Sequence, residues 1–388
     1  MSPAHGAQPA QQASARLDNL TMSRKEGLRA MADTPSRRQP DQLLPKQLAD
    51  LSEAALEEYQ EDRSIWHANI GPIKTPQLEA LHEDLWDIVD SNRQDGDKVK
   101  GAVAVDAFPG LGKTTAVLNF ALKYHRREIR RRGAFTDAGH ERWPVCRVGL
   151  TSNIGMKDFN RALLEFYAHP GRTSGTSALF VQRALDCVLQ CETKLLIIDD
   201  LHFLKWQARN GKEVSNHFKY IANEFPVTLI FIGVELEKRG LYSEIDDSGD
   251  ITLAQTARRT TPLTLDPFKV NDEQRRQQWR KLLLALEKRI VLSRSFPGML
   301  ADELSDYLFF RTTGHIGSLM TLINRGCQRA VRSGAELLSE DLLDQVKIDA
   351  ASERARRALE PKFKQHRLTS KTQPTGKLRK EHSKAGAV

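Results

Sequence analysis

Lys113 and Thr114 close the run Ala107-Phe108-Pro109-Gly110-Leu111-Gly112-Lys113-Thr114, followed by Thr115. The run fits the phosphate-cradling pattern G-x-x-x-x-G-K-[ST] except at its first position, where Ala107 replaces glycine. In such a loop the backbone amides curl around a phosphate and the following helix N-terminus adds partial positive charge. Lys113 would reach the β and γ oxygens, and the Thr114 hydroxyl would coordinate Mg²⁺. The alanine is tolerable if φ stays negative there, because Pro109, Gly110 and Gly112 still supply the bends.

A second group of chemistry-bearing residues follows the apolar run Leu195-Leu196-Ile197-Ile198, which ends in the paired carboxylates Asp199 and Asp200. Beside a nucleotide, Asp199 would hold Mg²⁺ and Asp200 would orient the attacking water toward the γ-phosphate. Aspartate is a short acid for that second role, which predicts slow hydrolysis. The competing role for Asp200 is the N-cap of the helix after it.

These groups need elements to hold them. Gly101 to Val105 reads as a short buried strand leading into the loop, and Thr114 to Leu122 as the helix leading out. Strands are expected at 145–150, 195–199 and 227–232, with helices at 158–167, 178–189 and 214–223 between them. Such alternation predicts an α/β fold, a three-layer αβα core around a parallel sheet. Beyond Asp266 the strand signals cease, and three or four amphipathic helices run to about Asp349 as a small lid. The expected division is a disordered leader over 1–45, the core with a helical lead-in over 46–268, the lid over 269–350, and a basic disordered tail over 351–388. Thr75 and Pro76 mark a helix start within the lead-in.

A chain of 388 residues with 40% hydrophobic content can bury a sizeable core. Its cysteines, Cys146, Cys187, Cys191 and Cys327, are few and scattered, which favours core packing over disulfides or a metal centre. No leader peptide or membrane-length apolar run is present in the sequence, so a cytoplasmic location and no membrane partner are expected. The formal charge of +8 makes an acidic partner plausible. Two basic regions contribute: the tail, and His125 to Arg132, which is either a solvated helix face or a binding patch.

With these motifs placed, residues 60 to 350 resemble the AAA+ class of P-loop ATPases and, within it, the TniB/TnsC group of transposition regulators. The resemblance is carried by Ile70-Gly71-Pro72-Ile73, the Gly110 to Thr114 loop, Asp199-Asp200-Leu201-His202, Phe231 to Glu235, Ala257-Arg258-Arg259, and Thr313-Gly314-His315-Ile316-Gly317. It implies ATP and Mg²⁺ as cofactors and a homo-oligomer, ring or filament, on double-stranded DNA. It also implies a DDE transposase as partner, with a target-selection protein in some cases.

On the same resemblance, Arg258 or Arg259 would be an arginine finger acting on the neighbouring subunit's γ-phosphate. Ile70 and Ile73 would flank the adenine or else lie in a core. Thr151, Ser152 and Lys157 would track DNA phosphates, Lys157 being alternatively an ordinary helix-start lysine. Two family features are missing: Gly233 and Val234 stand where a polar sensor is usual, leaving Glu235, and no arginine stands near Gly317, leaving His315. A helicase loader or replication initiator is the alternative within the fold, and a nucleotide-gated protein-binding switch the alternative outside DNA biology.

Overall fold

The computed structural model describes residues 17–95, 98–150, 155–201, 211–238, 259–365 and 368–372, with backbone alone at 211–216 and 219. The chain runs through α1 (Lys25–Asp33), α2 (Pro45–Ala49), α3 (Glu53–Ala68), α4 (Pro76–Ser91), β1 (Ala102–Asp106), α5 (Lys113–Arg132) and β2 (Val145–Gly149). It continues with α6 (Met156–Phe166), α7 (Ser177–Gln190), β3 (Leu195–Asp199), α8 (Gly211–Glu224), β4 (Thr228–Gly233) and β5 (Thr260–Thr264). Helices α9 (Glu273–Glu287), α10 (Ser305–Thr312), α11 (Ile316–Ser333), α12 (Glu340–Asp344) and α13 (Ala350–Lys364) complete it. Contacts divide the chain into two compact units, one reaching to Arg37 and resuming at Gln77–Asp266, the other comprising Arg38–Pro76 and everything from Pro267.

The first unit is built on a five-stranded parallel sheet of order β2-β3-β4-β1-β5. Continuous apolar strands belong at the centre of a sheet covered on both faces, and Val103, Ala104, Val105, Leu196, Ile197, Ile198 and Ile230 are all fully buried. Strand β5 was not expected. Its sequence Thr-Thr-Pro-Leu-Thr carries a proline, which removes a ladder donor and suits only an edge, and β5 occupies the edge beside β1.

The N-terminal reading needs correction. Within the expected disordered leader, α1 packs into the first unit's core with Leu28 fully buried and Ala32 at 6% exposure. Few apolar residues announce it, because polar contacts do much of the holding. Lys25 and Arg29 donate to the Glu141 carboxylate at 2.7 and 2.9 Å, and Arg29 lies 4.5 Å from the Trp143 ring centroid. Those hydrogen bonds, that from Lys25 first, hold the Glu141 carboxyl down to about 2. Arg126 of α5 donates to the carbonyls of Ala32 and Met31 at the helix C-terminus. Gly27 is obligatory, since a Cβ there would stand 2.1 Å from the Thr21 carbonyl oxygen.

The second unit is helical, and α2 and α3 of the expected lead-in group with it. Trp279, Leu283, Leu286, Leu308, Leu319 and Ile323 form its fully buried centre. Arg63 and Glu336 make a buried two-pronged ion pair at 2.7 and 3.0 Å. The expected disordered tail is also corrected as far as residue 372. Helix α13 stacks Phe363 on Phe310 with centroids 4.4 Å apart and planes 3° from parallel. Beyond it Ser370 is fully buried, its hydroxyl donating to Asp306 at 2.7 Å and meeting that of Ser305 at 2.6 Å. Residues 373–388 lie outside the described residues.

Burial lowers His125 and His217 in the first unit and His67 in the second to about 4 from 6.5, so they fold uncharged. Unfolded histidine takes up its proton near 6.5 while the native rings do not. Stability is therefore complete above about pH 6.5 and lost as pH falls toward about 4. Thermal melts at pH 7 and pH 5 should show a lower melting temperature in acid. His125→Phe, an apolar ring of similar size beside Trp143, should reduce the difference, and an unchanged pH dependence would remove His125 from this account.

Candidate nucleotide site

The loop between β1 and α5 turns where its glycines permit. Gly110 and Gly112 take left-handed φ of 79° and 78°, and Gly112 caps α5 without a side-chain hydrogen bond. The first amides of α5 are thus presented by backbone alone, as phosphate recognition requires. Ala107 is not among the positive-φ residues, so the condition for its replacing glycine is met. Its amide donates to the Gly233 carbonyl at 3.4 Å, joining the loop to the end of β4. Leu111 anchors the turn at 5% exposure, while Phe108 stands 60% exposed. Pro109 and Thr115 are exposed as well.

Lys113 folds back over the loop, its Nζ donating to the Phe108 carbonyl at 3.4 Å. Burial pushes its ammonium below the ordinary lysine value, and the nearby carboxylates of Asp200, Asp199 and Asp106 oppose that shift. The lysine and the acids therefore converge. Asp106, at the end of β1, accepts from the Leu236 amide at 2.7 Å and so fixes the chain after β4.

Asp199 ends β3 with 1% exposure. Its Oδ1 accepts from the Thr114 hydroxyl at 3.1 Å and from the Asp200 amide at 3.0 Å. Its Oδ2 accepts from Arg147 Nη2 at 2.7 Å. Asp200 adopts a left-handed φ of 57°, which turns the chain out of the strand. A helix capped by Asp200 would begin at Leu201 and run into residues 202–210, which, His202 among them, lie outside the described residues. Hydroxyl and carboxylate oxygens in contact suit a hard cation such as Mg²⁺, which needs only one or two protein oxygens beside phosphates and waters. Among the described residues no group of three or more His, Cys, Asp or Glu side chains offers an all-protein metal cage.

Other expected residues fall elsewhere. Ile70 and Ile73 are 1% and 6% exposed in the helical unit's core, which is the second of the two placements expected for them. Arg259 is exposed just before β5, its Nη1 donating to Asn223 Oδ1 at 3.2 Å. Arg258, Thr151 and Ser152 lie outside the described residues. Lys157 is exposed in the first turn of α6, 5.8 Å from the Phe180 ring centroid. Glu235 pairs with Lys238 at 2.6 Å, and His315 caps α11 while meeting Thr313 Oγ1 at 3.1 Å. In the 125–132 cluster, Arg126 holds α1 and Arg127 binds Asp90 at 3.1 Å while lying 4.1 Å from the Trp86 centroid. Arg132 pairs with Glu128 at 3.4 Å, so those three arginines are structural.

Sequence reasoning missed Arg147. The signal was present: an arginine inside Val145-Cys146-Arg147-Val148, a strand whose neighbours read as buried, must find an anionic partner.

Residues 96–241 match the family model described as the AAA domain. No curated protein matches the chain. Among solved structures, the Aeropyrum pernix ORC1 protein, solved in complex with DNA, is 14% identical with a TM-score of 0.50 over 76% of this chain and 68% of that one. Cdc6p from Pyrobaculum aerophilum is 14% identical with a TM-score of 0.49, over 69% of this chain and 65% of that one. Domain III of the Thermotoga maritima replication initiation protein DnaA gives 14% and 0.42, over 70% and 91% of the two chains. An identity of 14% at a TM-score of 0.50 speaks to fold alone. The loop before α5, the parallel order β2-β3-β4-β1-β5 and the AAA domain match together give this chain the P-loop AAA+ fold.

Proposed function

We propose that this protein binds and hydrolyses ATP and assembles on double-stranded DNA, in the manner of a replication initiator or helicase loader. The observation that carries the ATPase reading is the Thr114 hydroxyl on Asp199 Oδ1 at 3.1 Å. It brings the phosphate loop and the carboxylate of β3 to one point. Thr114 and Asp199 would hold Mg²⁺, which when bound supplies charge neutralisation at the phosphates. The amides from Gly110 to Thr115 bind the phosphate chain, and Lys113 releases its internal carbonyl to pair with the β and γ oxygens. Asp200 accepts the proton of the attacking water, and Arg259, or Arg258 before it, completes a neighbour's site in the assembly.

DNA as the partner draws support from the ORC1 likeness, that structure being a complex with DNA, and from the net charge of +8. That likeness favours the initiator kind over a transposition regulator. A DDE transposase and a target-selection protein as partners rest on the sequence resemblance alone. Lys157, on the exposed start of α6, remains a proposed phosphate contact; Thr151 and Ser152, outside the described residues, remain proposed from the sequence resemblance.

Three measurements test this. Titration with a fluorescent ATP analogue should show Lys113→Ala weakening binding at least about tenfold, or about 1.4 kcal/mol, and wild-type affinity in the variant would mean the loop serves another ligand. Asp200→Asn keeps a residue tolerant of the left-handed backbone, so binding should persist while turnover drops about 100-fold. An unchanged rate would return Asp200 to a capping role. Sedimentation with and without duplex DNA, in ADP, ATP and a non-hydrolysable analogue, should give a large DNA-bound species only with triphosphate. A protein indifferent to DNA in every nucleotide state would leave the protein-binding switch as the better account.

A further inference from the structure

We infer that Arg147 and Ser23 position the Asp199 carboxylate, making the N-terminal segment a working part of the metal-nucleotide site. The inference rests on the reading of Asp199 as the Mg²⁺ carboxylate and extends it to two residues which that reading does not use.

Arg147 lies on β2 in register with Ile197, two residues before Gly149, which faces Asp199 across the ladder. A Cβ at Gly149 would make only ordinary contacts, 3.6 Å from Ser23 Oγ and 3.9 Å from Arg147 Nη2, so the guanidinium and the serine hydroxyl both lie beside this point of the ladder. Arg147 Nη2 donates to Asp199 Oδ2 at 2.7 Å, with the arginine side chain only 16% exposed and the aspartate 1%. The second nitrogen, Nη1, donates to Ser23 Oγ at 2.9 Å. Its Nε is buried without a hydrogen-bond partner, so the guanidinium is held by these two contacts rather than by a shell of its own.

Ser23 is in turn fixed by the elements around it. Arg24, the next residue, donates to the Glu165 carbonyl of α6 at 2.8 Å, and α1 follows with its Leu28 buried and its Lys25 and Arg29 on Glu141. A chain of contacts therefore runs from the docked N-terminal segment through one guanidinium to the carboxylate. The consequence for Asp199 is geometric. With Oδ2 held by Arg147, rotation about the last side-chain bond is restrained and Oδ1 is kept on the Thr114 hydroxyl, the two oxygens that would hold a cation. Without the clamp, a buried carboxylate turns toward any other donor in reach, and the cation meets a carboxylate that must first be reoriented.

Arg147 and Ser23 thus act through Asp199 as positioning residues, and their effect belongs to metal-dependent binding. The test is titration of the full chain with a fluorescent ATP analogue, across a Mg²⁺ series and in EDTA, for wild type, Arg147→Ala, Arg147→Lys and Ser23→Ala. Arg147→Ala should raise the Mg²⁺ concentration at half-effect about tenfold or more, while affinity in EDTA stays within about twofold. Arg147→Lys, which keeps the charge but reaches only one of the two partners, should fall between. Ser23→Ala should shift the Mg²⁺ midpoint about threefold, again with metal-free affinity kept. Ser23→Ala leaves the ion pair itself in place, so it decides the matter even where Arg147→Ala leaves Asp199 unpaired and fails to fold. An unmoved Mg²⁺ midpoint in Ser23→Ala, or an equal loss with and without Mg²⁺ in the variants, overturns the inference and makes the contacts structural only. Wild type that binds no nucleotide at all would instead overturn the nucleotide reading beneath it.

Discussion

A carboxylate buried to 1% exposure at the end of a central strand is the constraint around which the first unit is arranged. Such a charge is tolerable only when every oxygen is met, and three different elements meet those of Asp199. The start of α5 contributes the Thr114 hydroxyl, the left-handed turn after β3 contributes the Asp200 amide, and β2 contributes Arg147. Each donor fixes a piece of backbone: the register of β2 against β3, the exit of the chain from β3, and the depth to which the phosphate loop sits against the sheet. The site is thus held in shape by the same contacts that neutralise its acid.

That arrangement explains which parts of the molecule could be read in advance. Strands β1, β3 and β4 are buried on both faces, so their apolar runs are continuous and hard to mistake, and the loop before α5 obeys spacing rules set by the phosphate it would wrap. What escaped reading was held by polar contacts between residues distant in sequence. Helix α1 offers little apolar surface and depends on Glu141, Trp143 and Arg126, more than ninety positions away in the chain. Strand β5 has a proline and three threonines and makes sense only at a sheet edge. Helix α13 looks like a solvated basic tail until Phe363 meets Phe310 and Glu353 meets Arg311. Ile70 and Ile73 show the converse, apolar residues whose type was plain and whose neighbours were not.

The helical unit uses charge in the same structural way. Arg311, 1% exposed, donates to Tyr307, to the Leu343 and Val346 carbonyls and to Glu353, so one guanidinium joins α10 to α12 and α13. Gly314 allows a close approach of backbones, since a Cβ there would stand 2.0 Å from the Phe268 carbonyl oxygen and its φ is 79°. The element Thr313 to Gly317, which carries part of the family resemblance, is therefore accounted for by packing within its own unit. His315 and Thr313 bind each other across that turn.

The shorter acid at position 200 fits the backbone that carries it. A residue at φ 57° places its Cβ close to the following carbonyl, a conformation that aspartate and asparagine enter more readily than longer side chains. The turn is needed, because it aims the Asp200 amide at Asp199 Oδ1. The backbone that completes the hydrogen bonds of Asp199 therefore also favours aspartate over glutamate at the next position. In the proposed ATPase the Asp200 carboxyl would stand one methylene short of a glutamate's reach, and catalysis by a positioned base falls steeply with misplacement. Slow turnover would then follow from how Asp199 is secured, the proposed metal carboxylate and the base beside it sharing one structural cause.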